Sequence, residues 1–153
     1  MTSFFGLPVH VLMVHAVVVL VPLAAVGGLA ISTLSWARTR YGSLVLVGAF
    51  GAAVTTYIAQ EAGERFQLSF PQPTPTMLKH FDIGGDLFIF VVLLFLGIAA
   101  IQLGQLLVNR DQTRGKWLRL VGTVVTVVCA VISVVQVVRI GHSGAVAVWG
   151  GTV

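Results

Sequence analysis

Four apolar runs, each long enough to cross a bilayer, occupy nearly the whole of this 153-residue chain. A spanning helix needs about 20 residues to cover roughly 30 Å of hydrocarbon. Once four such runs and their short connections are counted, no room remains for a separate soluble catalytic domain. Charged residues make up 9% of the chain, against about 25% in a soluble domain. Intrinsic disorder is excluded for the opposite reason, since the chain has abundant apolar surface to bury. The expected fold class is all-α: a polytopic membrane protein forming an antiparallel four-helix transmembrane bundle, with residues 1–153 as a single transmembrane domain.

The spans are expected at about residues 9–35, 42–61, 78–107 and 117–140. Pro22 lies within the first and is expected to kink it, because proline removes one intrahelical hydrogen bond and crowds the preceding turn. Met1 to Val9 carries no Lys or Arg, and the run that follows exceeds the roughly 7–15-residue core of a signal peptide. It therefore reads as a retained first span. The second span is rich in Gly, Ala and Thr, which permit close helix contact in lipid. A basic connection, ARTRYG, follows the first span, and a second, NRDQTRGKW, precedes the fourth. The long connection GERFQLSFPQPTPTM contains Pro71, Pro73 and Pro75, which argue against regular helix there. The closing GHSGAVAVWGGTV is glycine-rich and reads as irregular.

Charge sets the expected orientation. Arg38, Arg40, Arg110, Arg114, Lys116 and Arg119 lie in or beside the two short connections, with Asp111 as the one acid. The opposite face holds Arg65, Lys79 and Arg139 with Glu61, Glu64, Asp82 and Asp86. That divides the formal net charge of +4 into +5 and −1. By the positive-inside rule the short connections are cytoplasmic, and both termini and the Pro-rich connection are extracytoplasmic. The same rule accounts for the basic balance without nucleic acid, and the expected partner is the lipid bilayer. The single cysteine, Cys129, has no partner for a disulfide within one chain, and no Cys-x-x-Cys-His haem-attachment motif occurs.

All four histidines, His10, His15, His80 and His142, belong to span ends on the extracytoplasmic side. Counted at 1.5 Å per residue from the cytoplasmic ends, His15, Asp86 and Arg139 fall at roughly 30 Å, and the other three histidines lie one or two turns farther out. Ionisable groups in apolar spans are costly and tend to face a bundle interior, a partner or a cavity. Asp86 and Arg139, at similar depth, are expected to form a structural ion pair.

Several neutral imidazoles in a dry bundle suit haem b, whose bis-histidine ligation takes one imidazole from each of two facing helices. His15 and His80 are the first candidate axial pair, with His10 and His142 as a second. Arg139, Arg65 or Lys79 would meet the propionates, and Gly84, Gly85, Gly141 and Gly144 would let a flat macrocycle approach backbone. His10 and His15 are about 140° apart around a regular helix, so both cannot address one centre. The same four histidines are candidate ligands for copper or zinc. An isolated histidine near an interface also reads simply as a hydrogen-bonded or snorkelling side chain. Glu61 and Glu64 share a helix face, Trp36, Trp117 and Trp149 read as interfacial anchors, and Phe88 as a packing or lipid-facing residue. No phosphate-binding loop, dinucleotide fingerprint or nucleophile elbow is present, so a hydrolase or nucleotide enzyme has no support.

The opening GLPVHVLMVH, the segment LKHFDIGGD and the closing GHSGAVAVWGG together resemble a bacterial four-span membrane family known as domain of unknown function 2231. Gly6, Pro8, His10, Val14 and His15 carry the match at the start, with Gly141, Gly144 and Gly150 at the end. The chain departs from the His-Pro and His-Phe-Pro steps associated with the family, having Val11 after His10 and Ala16-Val17 after His15. The resemblance implies a multi-pass protein of the bacterial inner membrane and brings no established activity. A looser likeness to small b-type cytochromes favours a haem b protein that passes electrons to or from a quinol or a larger respiratory complex. A non-catalytic accessory subunit of such a complex is the alternative, with copper or zinc handling as a third.

The topology is directly testable. In a Cys129→Ser background, cysteines introduced at Met13 and Met77 should both react with a membrane-impermeant maleimide from one side of the membrane. Reaction from opposite sides would break the alternating arrangement.

Overall fold

The computed structural model describes residues 3–4, 7–68, 72, 75–110 and 113–149. Among these, four helices dominate: α1 (Val9–Thr33), α2 (Ser35–Gln67), α3 (Pro75–Asn109) and α4 (Thr113–Trp149). All four are long and apolar enough to cross a membrane, and the protein is a multi-pass, all-helical bundle. A two-residue antiparallel ladder precedes them, pairing β1 (Ser3–Phe4) with β2 (Leu7–Pro8).

The helices run past the expected span ends, each for a local reason. ARTRYG is not a connection but the start of α2, and Leu34 alone separates α1 from α2. Leu34 N donates to Ala30 O at 2.8 Å and Arg38 N to Leu34 O at 3.1 Å, so backbone pairing carries through the junction. The Arg38 side chain completes it: Nη1 donates to Ile31 O at 2.9 Å and to Ser32 O at 3.4 Å. It thereby satisfies carbonyls that the end of α1 leaves without an intrahelical partner. At its other end α2 continues to Gln67 on i,i+4 pairs, with Glu61 to Arg65 at 3.8 Å and Gln60 to Glu64 at 3.2 Å.

Pro75 opens α3 instead of excluding helix. Proline is favoured at a first helical position, where its missing N–H removes a donor that would have no partner anyway. Pro71 and Pro73 lie outside the described residues. The glycine-rich tail is helical as far as Trp149, so Gly141 and Gly144 do not end α4. Pro22 lies inside α1, which is continuous around it.

Sequential helices pack as neighbours, α4 closes back on α1, and α1 touches α3 across the middle. Val21, Ile31, Val91, Leu94, Ile98 and Ile101 fill the centre and are essentially inaccessible. On α2 the buried positions are small: Ala37, Ala49, Ala52, Ala53, Thr56 and Ala59. Between α2 and α3, Phe50 packs on Phe95 with centroids 5.7 Å apart, and Tyr57 on Phe88 at 5.6 Å, so Phe88 is a packing residue. Val124, Val128, Val131, Val135 and Val138 face outward, as suits helices whose surroundings are lipid rather than water. Trp36 and Trp117 are exposed near helix starts, in keeping with anchoring at the interface.

The closest backbone approach is between α3 and α4, and glycine makes it possible. A Cβ at Gly104 would stand 2.7 Å from Arg119 N and 2.9 Å from Gly115 O. One at Gly115 would meet Val108 N at 2.6 Å, and one at Gly122 would meet Gly97 O at 2.8 Å. These obstacles are backbone atoms, which cannot swing aside as a side chain can. By contrast, nothing lies within 4 Å of a Cβ at Gly48 or Gly51.

Gly104→Ala and Gly115→Ala should each cost about 1–3 kcal/mol through overpacking. Gly48→Ala should be neutral or stabilise by roughly 0.5–1 kcal/mol through helix propensity. The buried thiol of Cys129 provides the readout, as its reaction with a maleimide dye on heating reports the unfolding midpoint.

Candidate functional site

At the end of the bundle away from Arg38 the four helices enclose a cavity of about 340 Å³. Such a volume lies at the lower end of the roughly 300–1,000 Å³ typical of small-molecule sites. Its walls differ in chemistry. From α2 come Thr56, Gln60, Glu64 and Gln67, and from α1 His10 with Val14, Val17 and Val18. Leu87 on α3 and Val137 and Ile140 on α4 make the facing side apolar, with Gly84 and Gly85 beside them.

His10 is the histidine the fold places on this cavity. Its Nδ1 lies 3.0 Å from the carbonyl oxygen of Ala59. A carbonyl can only accept, so Nδ1 carries the hydrogen and, in the neutral ring, the lone pair belongs to Nε2. This is the tautomer that backbone carbonyls impose on many metal-bound histidines. One turn on from Ala59, Gly63 leaves space for the ring: a Cβ there would be 3.0 Å from His10 Cε1 and 3.1 Å from Nδ1. Ala59 and Gly63 are thus a carbonyl and a bare backbone surface against which one imidazole lies.

The other candidates separate from it. His15 is exposed and does not line the cavity. Its 140° offset from His10 turns it off the stripe formed by His10, Val14 and Val17. His142 is likewise exposed and off the cavity. His80 lies in α3 one turn before Gly84, and its side chain is outside the described residues. Asp86 and Arg139 are each exposed, and no ion pair joins them. Arg65 pairs with Glu61, at 3.8 Å. Glu61 and Glu64 therefore do different work, one paired along the helix surface and the other bordering the cavity next to Gln60.

Among the described residues nothing lies within 4 Å of where a Cβ at Gly84 or Gly85 would be. At these two positions the α3 wall is backbone, with the Leu87 side chain beside it. The sequence draws attention to Gly84 and Gly85, which line the cavity, but not to Gln60, Gln67, Thr56 and Gly63. The residues Thr56, Gln60, Gly63 and Gln67 recur at steps of three and four along α2, and that recurrence marks one helix face. Among the described residues no three His, Cys, Asp or Glu side chains gather as a metal ion would require.

Comparison with curated proteins and with solved structures returned no match. A family model described as a predicted membrane protein, DUF2231, matches residues 6–153, and four apolar helices are what such a family requires. Matched over nearly its whole length, the chain belongs to the DUF2231 family of membrane proteins.

Proposed function

We propose that the protein is a membrane redox protein that holds haem b in the cavity beside His10. The observation that carries this reading is the His10 imidazole, set on the cavity with its Nδ1–H held by the Ala59 carbonyl. That bond orients the ring and leaves the ligating lone pair on Nε2. The bare α3 backbone at Gly84 and Gly85 and the apolar wall of Leu87, Val137 and Ile140 suit a flat, largely apolar macrocycle. Bis-histidine haem needs a second imidazole from a facing helix. His80 is its candidate, because four residues before Gly84 is the same face of α3 one turn farther out. Copper or zinc is less well supported, since no cluster of three ligating side chains is present among the described residues.

Haem bound here would supply one-electron chemistry, and the chain's own residues would orient it and exclude water. Gln60, Glu64 and Gln67 supply hydrogen-bonding groups along the α2 wall. Under the positive-inside rule the basic end of the bundle is cytoplasmic. The cavity then opens toward the extracytoplasmic side of a bacterial inner membrane, with both chain termini on that side. There it can exchange electrons with a quinol or with a larger respiratory complex to which this chain is an accessory.

The purified full chain, from haem-replete cells, should be coloured, with a Soret band that shifts on reduction by dithionite. His10→Ala and His80→Ala should each remove most of the bound haem, while His15→Ala and His142→Ala should keep it. A colourless protein that also fails to take up added haemin would overturn the reading. Loss of haem on His15→Ala with retention on His10→Ala would reassign the ligand.

A further inference from the structure

The opposite end of the bundle has a second concentration of polar groups, and these differ in kind from those of the cavity. Arg38 lies on the interior face of α2, one turn before Gly42, and is half-buried. One of its terminal nitrogens is held by the Ile31 and Ser32 carbonyls, but its Nε is buried without a hydrogen-bond partner. The Gln102 side chain of α3 is packed directly against Gly42, and its Nε2 is also buried and unpartnered. From α4, the half-buried Arg119 donates from Nη1 to Gln105 Oε1 at 3.1 Å. Gln105 lies three residues from Gln102 on one face of α3, which brings Arg119 to the level of Gln102 and Arg38.

Donors from three helices thus lie at this level, and among the described residues Arg38 Nε and Gln102 Nε2 have no acceptor. The described carboxylates, Glu61, Glu64 and Asp86, all belong to the cavity end. Asp111 is the one acid on this face, and even with it counted the face retains a formal charge of +5. Two guanidinium groups brought together in a partly dry site cost free energy unless an anion sits between them. Arginine's fork of N–H donors matches a phosphate oxygen pair, and the level is that of the headgroups, at the boundary marked by Trp36 and Trp117.

We propose that Arg38, Arg119 and Gln102 form a binding site for a phosphodiester anion, supplied by the headgroup of an anionic phospholipid. Basic pockets between spanning helices on the positive side are the expected place for such headgroups. The half-buried position of both arginines separates this site from the exposed Arg40, Arg114 and Lys116, which attract any anionic surface without shape. The site is independent of what occupies the cavity at the other end.

Native mass spectrometry of the full chain in neutral detergent, titrated with phosphatidylglycerol or phosphatidylcholine, tests this. Phosphatidylglycerol should be retained, phosphatidylcholine should not, and Arg119→Gln should weaken phosphatidylglycerol binding about fivefold. Lys116→Gln, which removes an equal but exposed charge, should change it less than twofold. Arg38 also caps α1, so Arg119→Gln carries the test, and an unchanged Cys129 unfolding midpoint without lipid shows that the variant is folded. Equal weakening by Lys116→Gln would reduce the effect to general surface charge and overturn the site. Inorganic phosphate displacing the lipid at low millimolar concentration would overturn the lipid assignment in favour of a free anion.

Discussion

The close backbone contact between α3 and α4 is the constraint on which the rest of the bundle depends. In lipid no hydrophobic effect drives one helix onto another, so association comes from tight packing and polar contacts. Gly97 and Gly104 on α3 meet Gly122 and Gly115 on α4 backbone to backbone. All four glycines lie in the half of the bundle nearer Arg38. In the other half, Gly84, Gly85 and Gly141 have open space beside them. Glycine thus closes α3 on α4 at one end, and at the other Gly84 and Gly85 line the cavity. The bundle therefore has a tight base, with the cavity as an open cup at the far end.

Polar groups inside the bundle are small: several bond within their own helix, whereas Thr126 Oγ1 and Ser133 Oγ are buried without a hydrogen-bond partner. Thr56 Oγ1 donates to Ala52 O at 2.7 Å, Thr55 Oγ1 to Gly51 O at 2.7 Å and Ser32 Oγ to Gly28 O at 2.7 Å. Each is a bond to the carbonyl one turn back, which lets a hydroxyl sit in an apolar bundle without a partner on another helix. On α4 the interior stripe of Gly122, Thr126, Cys129 and Ser133 is likewise small. Thr126 fits between Gly28 on α1 and Gly97 on α3, and larger side chains there would hold three helices apart.

The fold was legible in the sequence because bilayer thickness sets a length that four apolar runs satisfy. The helix ends were less so. Arg38, Arg40 and Tyr41 were read as a loop on account of charge, although none of them breaks a helix; the arginine that marked the boundary is the group that caps it. Pro75 was read as a breaker when its position made it a starter. At the site, His10 was legible as a histidine but its rank over His15 was not. That rank depends on which side of α1 faces Ala59 and Gly63. A backbone carbonyl has no residue signature, and the glycine that admits the ring is one of seventeen in the chain.

The two ends are chemically opposite, and one physical cause accounts for both. Groups taken out of water must find complementary partners or remain costly, and a bundle this small has few side chains to offer. At the base the donors Arg38, Arg119 and Gln102 outnumber the acceptors, since Ile31, Ser32 and Gln105 account for only part of them. In the cup, Ala59 O fixes the hydrogen on one imidazole nitrogen, and Glu64 lies across the same wall. There the balance shifts toward lone pairs and negative charge. The base thus presents an excess of donors, whereas the cup sets one imidazole between a polar α2 wall and an apolar wall of α3 and α4. The packed middle of the bundle, with Val91, Leu94 and Ile98 at its centre, separates the two ends.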